Sequence, residues 1–300
     1  MPRSTPTIRS KRLGLQLQAM RIAKGWSVKQ AAEVLERAES SLSRIENGLQ
    51  PVRARDLPFI LDKYGVEDEE LRTALIQLAR DGAKKGWWHA YSGAIGDAYL
   101  DFISLEDGAE RIRLWSPQLV PGLLQTPEYA RKVIEAGRIW GREEDVDRAV
   151  KIRMERQSVL WRESPTPPRL WTVIDEGVLR RNVGRGTEAD YISDSPPTTL
   201  MLDQLRHILD VGRKLPHVTV QVLPHSVGEH AGMDGPFSVM DLPGLSPIAA
   251  VTSLTSTLYV ESPEAVEQHA TAFDHLKSAA LSQAKSLAYI ARMIKEGAAK

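Results

Sequence analysis

The chain of 300 residues contains no cysteine. That excludes disulfides, cysteine metal sites and thiol catalysis in one stroke. It has no apolar run near the roughly 20 residues that a membrane helix needs. Residues 1–10 (MPRSTPTIRS) lack the apolar core of a signal peptide, so a cytoplasmic protein is expected, with no membrane contact. No internal repeat and no net charge are present, because 39 Lys+Arg balance 39 Asp+Glu. The hydrophobic content of 42% and charged content of 26% are those of an ordinary globular chain.

The charge is nevertheless uneven. Residues 1–63 hold 12 Lys+Arg against 6 Asp+Glu, and the remainder 27 against 33. A basic first module joined to an acidic second one fits nucleic-acid binding near the start of the chain. The length suggests two domains. We expect a flexible arm over 1–10, whose Arg3 and Arg9 either reach a groove or simply fray. A helical domain is expected over 11–82 and a second domain over 87–300, with a junction near Gly82–Gly86. Gly86-Trp87-Trp88 opens the second module, and adjacent tryptophans are expected to pack there or to stack a ligand.

Residues 25–48, GWSVKQAAEVLERAESSLSRIENG, read as two short helices and a tight turn. Ser27 is an N-cap candidate, and Val28, Ala31, Ala32 and Leu35 follow at helical spacing. Leu42 and Ile45 face inward from a second helix that begins at Glu39, and Gly48 ends it. Leu13 and Leu17 mark a preceding helix over 11–24. Leu57, Ile60 and Leu61 mark a fourth helix, and Leu71, Leu75 and Leu78 a fifth.

The stretch resembles the helix-turn-helix of the lambda-repressor-like (Xre) regulators. The match runs through Gly25, Ser27, Ala32, Leu35, the run Ser40–Gly48 (SSLSRIENG) and Pro51. Glu36 stands where that family's turn carries glycine, and Glu39 where a glutamine often opens the recognition helix. The resemblance implies that the recognition helix enters the major groove. Carried over residue by residue, Glu39, Ser40, Ser41, Ser43 and Arg44 face the bases, with Ser40 and Arg44 foremost. Arginine can hold guanine O6 and N7 together. Ser27, Lys29, Asn47 and Arg53 would meet phosphate, which positions the protein without reading sequence. Arg21 and Glu46 are expected to form a structural ion pair.

Beyond residue 87, strand candidates at 112–114, 169–174, 218–223, 236–242, 248–253 and 257–261 alternate with helices near 97–105, 127–136, 143–162, 199–214, 263–280 and 283–296. The pattern indicates an α+β domain with a mainly antiparallel sheet. Residues 184–198 read as a polar loop. The motifs VPGLLQTPEYAR (120–131), RMERQSVL (153–160), VIDEGVLRRNVG (173–184), QLRHIL (204–209), VTVQVLP (218–224), GPFSVM (235–240) and YVESP (259–263) occur in this order. They resemble the C-terminal domain of actinobacterial antitoxin-like regulators, a domain of unknown function that follows an Xre-type helix-turn-helix. That resemblance implies a partner protein encoded next to the gene and supplies neither a ligand nor a catalytic activity.

Other chemistry is weakly marked. His225 and His230, with Glu229 and Asp234, match no strong metal spacing, so no metal is expected. Asp175-Glu176 serve either acid–base work or the capping of a helix. Arg180, Arg181 and Arg185 form either an anion site or a solvated face. Gly184 and Gly186 make no phosphate loop, and no nucleophile triad stands out. The sequence therefore reads as a homodimeric DNA-binding transcription regulator that binds double-stranded DNA, with no cofactor and no enzymatic activity. The alternative is an enzyme or small-molecule sensor fused to a DNA-binding module.

Overall fold

A computed structural model describes residues 7–83, 86–91, 96–137, 143–184, 197–253 and 256–299. The chain divides into two compact units, Met1–Gly108 with Leu242–Ser246, and Ala109–Asp241 with Pro247–Lys300.

The first unit is built from α1 (Ile8–Ala23), α2 (Val28–Val34), α3 (Glu39–Glu46), α4 (Leu57–Tyr64), α5 (Glu69–Ala83) and α6 (Asp97–Gly108). Apolar residues three and four apart turn one stripe of each helix inward. Leu13, Leu17, Leu42, Ile45, Leu57, Ile60, Leu61 and Leu75 meet in one buried cluster. α1 begins at Ile8, three residues before the expected start, because Thr7 caps it by accepting from the Ser10 N–H. The expectation for Arg9 is corrected here. Arg9 is buried, donates to the Ser104 carbonyl and lies 3.7 Å from Asp81, so it is not part of a free arm. Arg3 lies outside the described residues. The unit also continues past the expected junction. Trp88 is buried, and Trp87 meets it edge-on at 5.8 Å in a short 3-10 turn, Trp87–Tyr91, ahead of α6.

The second unit adds β1 (Arg111–Ser116), α7 (Pro127–Gly137), α8 (Glu143–Arg156), α9 (Ser158–Trp161), β2 (Arg169–Asp175), α10 (Glu176–Arg180), α11 (Thr199–Lys214) and β3 (Val218–Leu223). It then adds β4 (Phe237–Leu242), β5 (Leu245–Thr252), β6 (Thr257–Val260), α12 (Pro263–Ala279) and α13 (Gln283–Ala298). The six strands lie in the order β3-β2-β1-β4-β5-β6. The sheet is mixed. β1 pairs antiparallel with β4, as β5 does with β6, whereas β1–β2 and β2–β3 are parallel. Each parallel pairing needs a long crossover. The segments carrying α7–α9 and α10–α11 supply them.

One sheet face buries Trp115, Val173, Leu223, Phe237 and Val239 under Phe273 and Leu276 of α12. On the other, Val220 packs against α11 at Gly212. The helix expected over 143–162 breaks at Gln157, whose side chain donates to the Gly122 and Gln125 carbonyls at 3.0 and 2.7 Å. The segment 185–196, which holds Arg185 and most of the expected loop, lies outside the described residues.

Asp175 caps α10, accepting from the Gly177 N–H at 2.7 Å. Glu176 ties α10 to α13. Its Oε1 accepts from the Tyr289 hydroxyl and Arg180 Nε, both at 2.6 Å, and its Oε2 from the His225 N–H at 2.9 Å. Burial alone would raise the Glu176 carboxyl, but the donors from Tyr289, His225 and Arg180 outweigh it and hold the group at about 2, against an ordinary 4.5. A carboxyl depressed on folding stabilises the protein above its unfolded value. That contribution is lost as pH falls from near 4.5 toward 2. With partial solvent screening allowed for, we expect the site to contribute on the order of 1–2 kcal/mol at neutral pH. Glu176→Gln should therefore show a smaller drop in urea midpoint between about pH 6 and about pH 3 than the parent protein. Identical drops in the two proteins would refute the assignment.

Candidate DNA interface

The helix-turn-helix is α2, the turn 35–38 and α3. Ser27 caps α2 and forms a reciprocal box with Gln30. Its Oγ accepts from the Gln30 N–H at 3.2 Å, and its own N–H donates to Gln30 Oε1 at 2.8 Å. Ala31 and Ala32 give α2 a small inner face, both fully or nearly fully buried. The turn bends through Glu36, which holds a left-handed φ of 53° and is the non-glycine residue with positive φ among the described residues. This is the place where the resembling family carries glycine. A side chain there is strained because Cβ crowds the backbone. Gly48, with φ 70°, ends the region after α3.

α3 is fixed from behind. Arg21 Nε and Nη2 donate to the two oxygens of Glu46 at 2.7 and 2.9 Å, and Nη1 donates to the Trp26 carbonyl at 2.8 Å. Both side chains are buried, and the Glu46 partnership raises the Arg21 pKa. Burial and the Glu46 charge also push the Tyr64 hydroxyl up to about 12. Gly14 of α1 lies directly against the end of α3, where a Cβ would sit 2.5 Å from the Ile45 and Glu46 carbonyl oxygens. Because those atoms are backbone, no side-chain rotation relieves the clash. Glycine inside a helix is the sequence signal for this close approach.

The expected reading residues fall into two sets. Glu39, Ser40 and Arg44 are exposed and Ser43 is half-buried. The side chains of these four residues make no hydrogen bond or ion pair with another described residue. Lys29 and Arg53 are likewise exposed and unengaged. Ser41, Asn47 and Ser27 are committed to the fold. Ser41 Oγ accepts from Gln50 at 3.0 Å, Asn47 Nδ2 donates to the Ser43 carbonyl at 2.7 Å, and Ser27 holds its cap. Gln50 was missed from sequence, as was Arg37, which donates to Asp56 at 3.0 Å and ties the turn to the start of α4. Nothing in their spacing marks either residue.

Three of the other candidates have partners within the fold. His225 Nε2 lies 3.4 Å from Asp175. His230 Nδ1 accepts from the Gly232 N–H at 3.1 Å, and its ring meets Trp115 edge-on. Arg180 joins Glu176 and Tyr289. No helix among the described residues is long and apolar enough to cross a membrane.

A melting series on the full chain checks the internal scaffold. Glu46→Ala strips the partner from a buried arginine and should cost about 3–5 kcal/mol, whereas Glu39→Ala should cost well under about 1 kcal/mol. Glu36→Gly should gain roughly 1 kcal/mol by relieving the left-handed strain. Equal melting of the Glu46 and Glu39 variants, or a loss at Glu36→Gly, would contradict this geometry.

Two family models match separate stretches of the chain. Residues 12–75 match the family model of a helix-turn-helix domain, so the first unit carries the DNA-binding module of a regulator. Residues 99–292, well over half of the chain, match the family model described as Domain of unknown function (DUF5753). No curated protein and no solved structure matches the chain. By the longer of the two matches, the chain belongs to the DUF5753 family.

Proposed function

We propose that this protein is a sequence-specific transcriptional regulator of the Xre class. Ser40, Ser43 and Arg44 read base edges, and Lys29 and Arg53 hold phosphate. The observation that carries the reading is the sorting of side chains on α3. The inner ones are consumed by the fold, while Arg44 and Ser40 are exposed with their hydrogen-bonding groups unengaged. An exposed guanidinium on the outer face of a recognition helix suits the paired acceptors of guanine. The committed hydrogen bonds of Ser41 and Asn47 favour a lesser part for them in reading.

One recognition helix covers too few base pairs to select an operator from a genome. We therefore read the working form as a homodimer spanning two half-sites about 34 Å apart. In this reading the protein is cytoplasmic, antitoxin-like and without catalytic activity. Its second unit supports dimerisation and binds either a small protein encoded next to it or a ligand. A concavity in that unit favours the ligand-sensing form.

Binding to a panel of single-base operator variants tests the proposal. Arg44→Ala should relax preference at one position of each half-site, by about 1–3 kcal/mol. Lys29→Ala and Arg53→Ala should weaken all sequences alike and reduce the salt slope by about one each. Uniform weakening by Arg44→Ala would remove it as a base reader. A footprint confined to one half-site would remove the dimer.

A further inference from the structure

The second unit holds a concavity of about 660 Å3 beside α12, within the size range of small-molecule sites. Strand alternation places Arg111 and Arg113 of β1 and Arg169 and Trp171 of β2 on the same sheet face. The parallel register sets Arg111 beside Arg169 and Arg113 beside Trp171. Lys277 of α12 brings its ammonium 4.5 Å over the Trp171 ring. All five residues line the cavity.

The charges do not balance. Asp241 accepts from Arg113 at 2.8 Å and lies 3.4 Å from Arg111, and Asp274 lies 3.5 Å from Lys277. Arg169 makes no side-chain hydrogen bond or ion pair with another described residue. Arg113 Nε is a buried donor without an acceptor among the described residues. Four cations thus face two carboxylates. Like charges set abreast on neighbouring strands destabilise a sheet, and a buried unpaired donor adds to that cost. A fold that retains such a cost in one concave place has the makings of a binding site.

We propose that this cavity binds a phosphorylated small molecule carrying at least two negative charges, a phosphate monoester or diphosphate. Three guanidinium groups in one locality suit a group with several acceptor oxygens, whereas a single arginine fork already saturates a carboxylate. The volume leaves room for an uncharged portion of the ligand against Trp171. The proposal rests on the reading of the second unit as a sensing module. It is independent of how α3 reads DNA.

Calorimetric titration of the full-length protein, without DNA, tests it. The probes are pyrophosphate, adenosine 5′-diphosphate and citrate at matched ionic strength. The expected result is a single saturable site for both phosphates, with citrate at least tenfold weaker. Arg169→Ala should weaken the phosphates at least tenfold and Arg169→Glu should abolish binding. Neither should lower the melting temperature of the ligand-free protein, since the Arg169 side chain bonds to no other described residue and its backbone pairing is kept in both variants. Arg206→Ala, on α11 outside the cavity, should change nothing. Absence of saturable binding, equal binding of citrate, or indifference to both Arg169 variants would each overturn the site. So would saturation by a phosphopeptide or an oligonucleotide alone. A diphosphate that binds at this site without altering operator affinity would leave the site standing and remove only its role as sensor.

Discussion

The helix-turn-helix depends on one buried charge pair. Taking Arg21 and Glu46 out of water is costly unless every donor and acceptor finds a partner. Here the guanidinium meets both carboxylate oxygens and the Trp26 carbonyl, which leaves the pair one geometry to adopt. That geometry pins α1 to the last turn of α3. Gly14 then lets the two backbones approach closely, since any Cβ would strike the carbonyls that end α3. With its inner face so constrained, α3 has a single rotation about its axis. Arg44 and Ser40 point away from the core as a consequence, not by separate arrangement.

The same constraint divides labour along a helix of only eight residues. Leu42, Ile45 and Glu46 are buried, and Ser41 anchors Gln50. What remains for a ligand is the strip of Glu39, Ser40, Ser43 and Arg44. The strained turn at Glu36 is consistent with this. A residue held at φ 53° persists only when its surroundings over-determine it, and the Arg37–Asp56 pair and the Arg37 N–H to Ala32 carbonyl bond of 2.9 Å do so on its C-terminal side. Rigidity of the exposed strip of α3 therefore comes from contacts beneath and beside it.

Local signals carried much of the fold. The caps at Ser27 and Asp175 and the apolar stripes of α2, α3 and α4 were legible because each depends on residues within one or two turns. What escaped depends on distant partners. Arg9 looked like an arm residue, since a cation near a chain start is ordinarily solvated, and only Ser104 and Asp81 make its burial tolerable. The parallel part of the sheet was hidden because β1, β2 and β3 are neighbours across long helical crossovers. The polar–apolar alternation of β1 and the apolar runs of β2 and β3 look the same in either direction. The break at Gln157 was invisible for a similar reason. Glutamine is a good helix former, and its side chain is drawn off by carbonyls more than thirty residues away.

Those carbonyls explain several motifs of the second unit. Residues 120–126 form irregular backbone around a short 3-10 turn, with Val120, Leu123, Leu124 and Gln125 buried. Buried carbonyls without ladder partners must be satisfied by side chains. Gln125 donates to Val120 at 2.7 Å and is itself held by Arg153 at 3.0 Å. Gln157 serves Gly122 and Gln125. Gln204 serves Leu124 at 2.6 Å and accepts the Thr126 N–H at 2.8 Å. Three motifs far apart in sequence thus converge on one loop, and their shared polar residues act as a scaffold for its backbone. The contrast with the β1–β2 arginines is physical. The glutamines hold backbone groups that would otherwise be orphaned, and the chain supplies each bond they need. The Arg169 side chain finds none among the described residues, so its favourable electrostatics await a ligand in the proposed site.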